Sequence, residues 1–411
     1  MPMPARNTLA VIGAGPIGLE AAVAALDRGL DVHVFERGEV GSHPIAWGHV
    51  RMFTPWRMNL GAHGRAHLEA TGWGAPQPEV HPTGLEYAEQ YLQPLAGLPE
   101  LKDRVHTHAQ VVQVSRRGLL QTDAIGRPER REHPFRLLVR DHGGRESLRH
   151  VFAVIDASGV YGQPNWAGDG GIPARGELYL APQMSYHVDD VLGLRRARYA
   201  GRRTLVIGAG ASGATVVSDL ARLADEAPGT SVAWATRESA DCVCPEIADD
   251  PLAERRTLFT RARGLGHGAH PAVGHIGGAW VEAIDFNSAT HRYRVTLTLG
   301  EQARVEEVDQ VVVNTGYGPD HSICRELQIH ECHAWRGPMK LPEALPGAEG
   351  GVHPAVPASG AEALAHPEPD FYILGHKSCG RSGGFLLESG FRQVADVVET
   401  LARGLQVSTP A

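Results

Sequence analysis

The sequence predicts an α/β fold built on two parallel-sheet units, and three observations predict it. The first is the run Leu9-Ala10-Val11-Ile12 followed by Gly13-Ala14-Gly15-Pro16-Ile17-Gly18, an alanine-rich helical stretch over 19–28, and a strand-like Asp31-Val32-His33-Val34-Phe35. The second is the same grammar 195 residues later: Thr204-Leu205-Val206-Ile207, then Gly208-Ala209-Gly210-Ala211-Ser212-Gly213, a helix over about 214–224 and the strand Ser231-Val232-Ala233-Trp234-Ala235. The third is the chain itself: 411 residues, 42% hydrophobic and 21% charged, enough for two or three packed domains and unlike a disordered protein. Strand, glycine triad and helix in that order form the Rossmann-like βαβ context, in which the triad accepts a dinucleotide.

In the first unit each glycine has a separate role. Gly13 allows the tight turn, Gly15 lets backbone approach a pyrophosphate, and Gly18 lets helix and strand pack closely. The phosphates then sit at the helix N-terminus, where free N–H groups and the dipole favour anions, with Pro16 counted among the cofactor contacts. Glu36 lies 23 residues after Gly13, placed to accept hydrogen bonds from ribose hydroxyls, with Arg37 beside it. In the second unit the glycines Gly208, Gly210 and Gly213, with Ala211 and Ser212 between them, repeat the cradle. Its second strand ends in Thr236-Arg237 instead of an acid. An acid repels a 2′-phosphate and arginine pairs with it, so this unit is expected to take NADPH. Arg255, Arg256, Arg261 and Arg263 follow and either add to that pocket or form a solvated face.

Three further stretches extend the pattern. Val151-Phe152-Ala153-Val154-Ile155-Asp156-Ala157-Ser158-Gly159 is a strand ending in a small-residue turn. Val311-Val312-Val313-Asn314-Thr315-Gly316 repeats it, and Phe371-Tyr372-Ile373-Leu374-Gly375 precedes a helix from about residue 388. With the two glycine triads, these motifs resemble the flavoproteins with two dinucleotide-binding domains, the group containing flavin-containing monooxygenases and thioredoxin-reductase-like enzymes. The resemblance covers most of the chain. It implies two Rossmann-like three-layer domains, the second inserted in the first: an FAD domain begun by residues 1–170, an NADPH domain over 190–305, and completion of the FAD domain by 306–411. It implies FAD contacts at Ala157, Ser158 and Gly159, at Gly375 and Leu386, and at Val111 on the adenine side. In the disulfide-reductase branch the closing strand ends in Gly-Asp, whereas this chain has Gly375-His376.

The stretch from Trp47 to Asn59 is expected to run past the flavin ring. Aromatic residues wall such a ring and a cation near it stabilises the reduced form, which makes Trp47, Trp56 and Arg51 candidates. Arg51 and His376 are the catalytic candidates. The motif Phe-x-Gly-x-x-x-His of flavin monooxygenases is matched only at His187, 21 residues before Gly208. No Cys-x-x-Cys is present, and Cys242-Val243-Cys244 has one intervening residue, so a dithiol relay is not expected. The expected chemistry is oxygenation of a small nucleophilic substrate at nitrogen or sulfur with O2. A reductase delivering electrons to a quinone or a protein acceptor is the alternative, as is a flavin-binding redox sensor without turnover.

Composition sets the remaining limits. A net charge of −8 argues against nucleic acid or an anionic membrane as partner. Among the basic residues only Lys102, Lys340 and Lys377 are lysines. Five unpaired-looking cysteines and an N-terminus without an apolar leader segment lead to the expectation of a cytoplasmic protein, with a homodimer left open. The 22 histidines include His330-Glu331-Cys332-His333 and the series His267, His270, His275, but neither has a second ligand pair, so no metal is expected. Residues 337–369, rich in Pro, Gly, Ala and His, read as an extended loop.

Overall fold

A computed structural model describes residues 3–247, 250–341 and 360–406. The chain divides into two compact units, residues 1–163 with 318–411, and residues 164–317. The second unit is thus wider than the expected 190–305, and its limits have a topological cause given below.

In the first unit β1 (Thr8–Ile12), α1 (Pro16–Asp27) and β2 (Asp31–Phe35) form the βαβ element. The chain then adds α2 (Ala62–Ala70) and the short β3 (Val105–His106). An antiparallel layer of β4 (Ala109–Arg116), β5 (Phe135–Asp141) and β6 (Glu146–Val151) leads into β7 (Ala153–Asp156). The strand Phe371–Ile373 closes the sheet, whose order is Phe371–Ile373, β7, β1, β2, β3, all parallel.

The alternation of side chains along β1 explains the layering. Leu9 and Val11 join a core with the apolar face of α1 and with Val394, Val397 and Leu401 of the helix Leu387–Gln406. Ala10 and Ile12 face the opposite way, into a core with Val111, Val114, Phe135, Leu137 and Val139 of the antiparallel layer. The result is helix, parallel sheet and antiparallel sheet, with both faces of the central strand buried. Glu20, a buried acid inside α1, accepts the N–H groups of His63 and Gly64 at 2.9 Å each and so caps the N-terminus of α2.

The second unit repeats the plan. It holds β8 (Arg203–Ile207), α3 (Ala211–Glu226), β9 (Ser231–Ala235), α4 (Ala253–Gly266) and β10 (Val273–Ile276). An antiparallel layer of β11 (Ala279–Asn287), β12 (Arg292–Leu299) and β13 (Gln302–Val308) follows, and then β14 (Gln310–Val313). The parallel order β10, β9, β8, β14 matches β3, β2, β1, β7 of the first unit, with no counterpart of its fifth strand Phe371–Ile373 among the described residues. Because β14 pairs with β8, residues 310–313 belong to the second unit, and the return to the first unit falls at 317/318, not at 306. At the other limit, Asn165 donates to the Thr315 carbonyl at 3.2 Å and its own N–H bonds the Gly316 carbonyl at 2.9 Å, which ties residues from 164 onward to this unit.

Among the described residues no helix is long and apolar enough to cross a membrane. Within the expected 337–369 loop, residues 342–359 lie outside the described residues, while Gly337–Pro338 pair with Glu331–Cys332 and Gly360–Ala363 form a short helix.

Candidate nucleotide cradles

The first cradle is a turn pressed against its neighbouring strand. Gly13 has φ +104°, and a Cβ there would stand 2.8 Å from the Ala157 carbonyl oxygen, so only glycine fits. A Cβ on Gly18 would meet the Gly13 carbonyl oxygen at 1.9 Å. Around Gly15, by contrast, a Cβ would find no protein atom within 4 Å, which leaves open space above the turn. Helix α1 begins there with Pro16 and no side-chain cap, so its first N–H groups are left to a ligand. Glu36 accepts the N–H of Ala14 at 2.9 Å and that of Gly38 at 2.8 Å, which fastens the glycine turn to the end of β2. These features fit the diphosphate of a dinucleotide: an uncapped helix start, open space at the middle glycine and an acid at the second strand.

The second cradle is built the same way. Gly208 has φ +125° and a would-be Cβ 2.2 Å from the Asn314 carbonyl oxygen, Gly213 abuts the Gly208 carbonyl, and Gly210 faces open space. Helix α3 has Gly210 as its N-cap, with Ala211 and Ser212 in its first turn and no side-chain cap. Two contacts that sequence reasoning missed hold its carbonyl side. The buried Trp234 indole donates to the Gly208 carbonyl at 2.9 Å, and the Cys244 thiol donates to that of Ala209 at 3.2 Å. With those oxygens engaged, the N–H side of the turn is the side left for an anion.

At the end of β9 the Thr236 hydroxyl donates to the Glu238 carbonyl and contacts His275 Nε2 at 2.8 Å. Arg237 is exposed; its guanidinium lies 3.6 Å from Glu238 and 5.7 Å above the Trp280 ring, a platform with no signal in the sequence. The four later arginines do not converge on it. Arg255 and Arg256 are bound to Asp250, Arg263 donates to the Cys244 carbonyl at 2.7 Å, and Arg261 is exposed.

Several expected flavin contacts take other positions. Trp56 is 3% exposed and packs against Tyr87 at 5.7 Å between ring centroids, so it belongs to the core and offers almost no wall to a ligand. Val111 is 5% exposed and lies between the two sheets of the first unit. Both were apolar side chains that the fold needed inside. Arg51 donates to the His81 carbonyl, and its backbone bridges to Thr83. Trp47 is half-buried beside Gly84, whose would-be Cβ meets the indole at 2.4 Å. Arg37 is exposed and contacts His43 Nε2 at 3.1 Å.

The turn after β7 bears a buried ion pair. Lys377 Nζ lies 2.6 Å from Asp156 Oδ2. Ser158 donates to Asp156 Oδ1 through its hydroxyl at 2.7 Å, and Gly159 completes the turn with φ +69°. Gly375 donates to Gln393 Oε1 at 2.8 Å. His376 stacks on Phe385 at 5.4 Å with an interplanar angle of 11°, and burial holds its pKa below the usual histidine range. Leu386 is half-buried just before the last helix. In the second unit His187 stacks on Tyr317 at 5.7 Å, with Nδ1 3.1 Å from its hydroxyl.

All five cysteines are free, and burial pushes the thiols of Cys244, Cys324 and Cys379 up to about 12. Cys242 alone is exposed. Among the described residues no group of three or more His, Cys, Asp or Glu is arranged to hold a metal ion. His267, His270 and His275 turn to separate partners, Asp241, Asp225 and Thr236.

Two helix, parallel-sheet and antiparallel-sheet units, one interrupting the other and each with a glycine cradle, are the fold of the flavoproteins with two dinucleotide-binding domains. The sequence model of the pyridine nucleotide-disulphide oxidoreductase family matches residues 10–122. Over the full length the structure is similar to bacillithiol disulfide reductase Bdr (YpdA) from Bacillus cereus, with 18% identity, a TM-score of 0.69, and 97% of this chain and 99% of that one covered. It is similar to the ornithine N-hydroxylase of Kutzneria sp. 744, with 18% identity, a TM-score of 0.60, and coverage of 98% and 100%. Thioredoxin reductase from T. acidophilum follows the same path, with 15% identity, a TM-score of 0.57, and coverage of 97% and 98%. No curated protein matches the sequence.

Proposed function

We propose that the chain is an FAD-dependent, NADPH-using oxidoreductase that oxygenates a small nucleophilic substrate at nitrogen or sulfur. The observation that carries this reading is the pair of like-built cradles with unlike strand ends, Glu36 in the first unit and Thr236-Arg237 in the second. Gly13, Gly15, Gly18 and the start of α1 would hold the FAD diphosphate, with Glu36 at the ribose. Gly208, Gly210, Gly213 and the start of α3 would hold that of NADPH, with Arg237 toward the 2′-phosphate. When bound, FAD accepts a hydride from NADPH and delivers the electrons to oxygen or to an organic acceptor. The family match and the two cofactors named for the Kutzneria structure, reduced FAD and NADP+, support the cofactor assignment.

The cysteines favour oxygenation over thiol relay. A relay needs an accessible thiolate beside a second sulfur. Cys244, Cys324 and Cys379 are buried thiols whose ionisation is opposed by desolvation, and neither exposed Cys242 nor half-buried Cys332 is paired with a second sulfur. Burial holds the His376 pKa below the usual histidine range, which disfavours it as a fixed cation, and its ring packs on Phe385. Arg51, held on the 81–83 segment, is the remaining candidate for a charge beside the flavin.

The test is NADPH reduction of the purified protein without oxygen, followed by mixing with oxygen and amine or thioether substrates. The monooxygenase reading requires NADPH consumption that rises with substrate and depends on oxygen. Consumption that persists without oxygen once a quinone is added marks a reductase instead, and flavin that NADPH cannot bleach marks a binding protein.

Arg237→Glu tests the coenzyme assignment. Replacing a charge-assisted contact by a like charge should lower the NADPH over NADH preference by about tenfold to a hundredfold in kcat/KM. An unchanged coenzyme ratio would remove Arg237 from the site.

A further inference from the structure

The floor of the first cradle carries charge. Asp156, the last residue of β7, is completely buried and pairs in register with Ile12, the residue directly before Gly13. Lys377 is 1% exposed, and its Nζ lies 2.6 Å from Asp156 Oδ2 and 3.1 Å from Ser158 Oγ. Ser158 donates to Asp156 Oδ1 from its N–H at 3.1 Å and from its hydroxyl at 2.7 Å. The segment so gathered, Ala157-Ser158, is the one against which Gly13 presses. Lys377 also follows Gly375, whose would-be Cβ stands 3.1 Å from Ile17 Cγ1 in the first turn of α1.

A buried ion pair is a poor stabiliser compared with an apolar pair of the same volume, so the placement of this one needs another reason. A lone carboxylate beneath the turn would repel any diphosphate arriving above it, and buried charges are little screened by salt. We propose that Lys377 is a positioning residue of the first nucleotide site. It balances the Asp156 charge and holds Ser158 on it, so that Asp156 adds no uncompensated negative charge beneath the Gly13–Gly18 cradle. The proposal rests on the reading that this cradle holds FAD.

Charge balance and plain structural support predict different signs. Equilibrium binding of FAD to the full-length chain should show Kd raised roughly tenfold or more in Lys377→Met, where the carboxylate is left alone. Asp156→Asn, which leaves the cation, should bind FAD as tightly as the wild type or more tightly. The double variant should return close to the wild type. Weakening of Asp156→Asn to the level of Lys377→Met overturns the proposal, as does wild-type affinity in Lys377→Met. If either single variant fails to fold, the double variant decides: affinity near that of the wild type supports charge balance, and its loss overturns it. A wild-type chain that takes up no FAD fails the cradle reading itself, whereas a wild type that binds beside an unaffected Lys377→Met removes Lys377 alone.

Discussion

Gly13→Val should yield a protein that purifies without FAD, colourless where the wild type is yellow. Two independent obstacles act at this position. The backbone has φ +104°, a region closed to a β-branched residue, at a cost of about 1–3 kcal/mol even before contacts are counted. The added Cβ would also stand 2.8 Å from the Ala157 carbonyl oxygen and 3.1 Å from Ser158 Cα, both backbone atoms that cannot rotate away. Relief requires the turn to lift from β7, which moves the N–H groups at the start of α1. Gly15→Ala separates ligand from fold. Its Cβ would meet no protein atom within 4 Å, so thermal unfolding of the flavin-free chain should be unchanged while FAD affinity falls, because the methyl occupies the space of the diphosphate. A Gly13→Val protein that stays yellow contradicts FAD at the first cradle. A Gly15→Ala protein with wild-type affinity contradicts the close approach.

The cradles were legible because their information is local. Strand, glycine triad and helix lie within about twenty residues, and each glycine answers a backbone requirement that few other sequences meet. The turns Ala157-Ser158-Gly159 and Asn314-Thr315-Gly316 were legible for the same reason, and in the structure they act alike, their first residues, Ala157 and Asn314, backing Gly13 and Gly208. Side-chain assignments built on apolar character fared differently. Trp56 and Val111 are aromatic and aliphatic in the right stretches, but burial in the core uses the same property as walling a ligand, so sequence alone could not part the two. The domain limits moved because β14, which ends in the returning motif, completes the sheet it leaves and not the one it enters. Contacts formed across long separations carried no sequence signal. Asp156 and Lys377 are 221 residues apart, and the grips of Trp234 and Cys244 on the second turn depend on carbonyl directions that only the folded backbone defines.

Glu368→Ala should cost the first unit about 3–5 kcal/mol, the expected penalty for stranding buried charge. Glu368 is fully buried between two guanidiniums. Arg116 Nε meets Oε1 and Arg130 Nη2 meets Oε2, each at 2.8 Å, Arg130 Nε reaches both oxygens at 3.2 Å, and the Gln328 N–H adds a further donor at 3.0 Å. Arg116 also lies 3.5 Å over the Phe135 ring, and Arg131 pairs with Asp370 at 2.7 Å. Together these bonds join the end of β4 and the segment Pro128–Glu132 to the residues that lead into the closing strand Phe371–Ile373. Loss of the carboxylate leaves two guanidiniums facing each other out of water, and the melting temperature should fall by roughly 6–20 °C. Glu368→Gln keeps the shape and one acceptor oxygen, so its loss should be smaller. Acid should reproduce the effect in the wild type. Burial alone would raise the Glu368 pKa, but the Arg130 and Arg116 hydrogen bonds outweigh it and hold the carboxyl below its usual range. A depressed carboxylate contributes stability above its unfolded pKa and loses it as pH falls through the folded one. The wild type should therefore lose this contribution only below the ordinary carboxylate range, and Glu368→Ala should show a flatter acid limb. Equal acid limbs in the two proteins would show that the Arg116–Glu368–Arg130 cluster does not hold the closing strand.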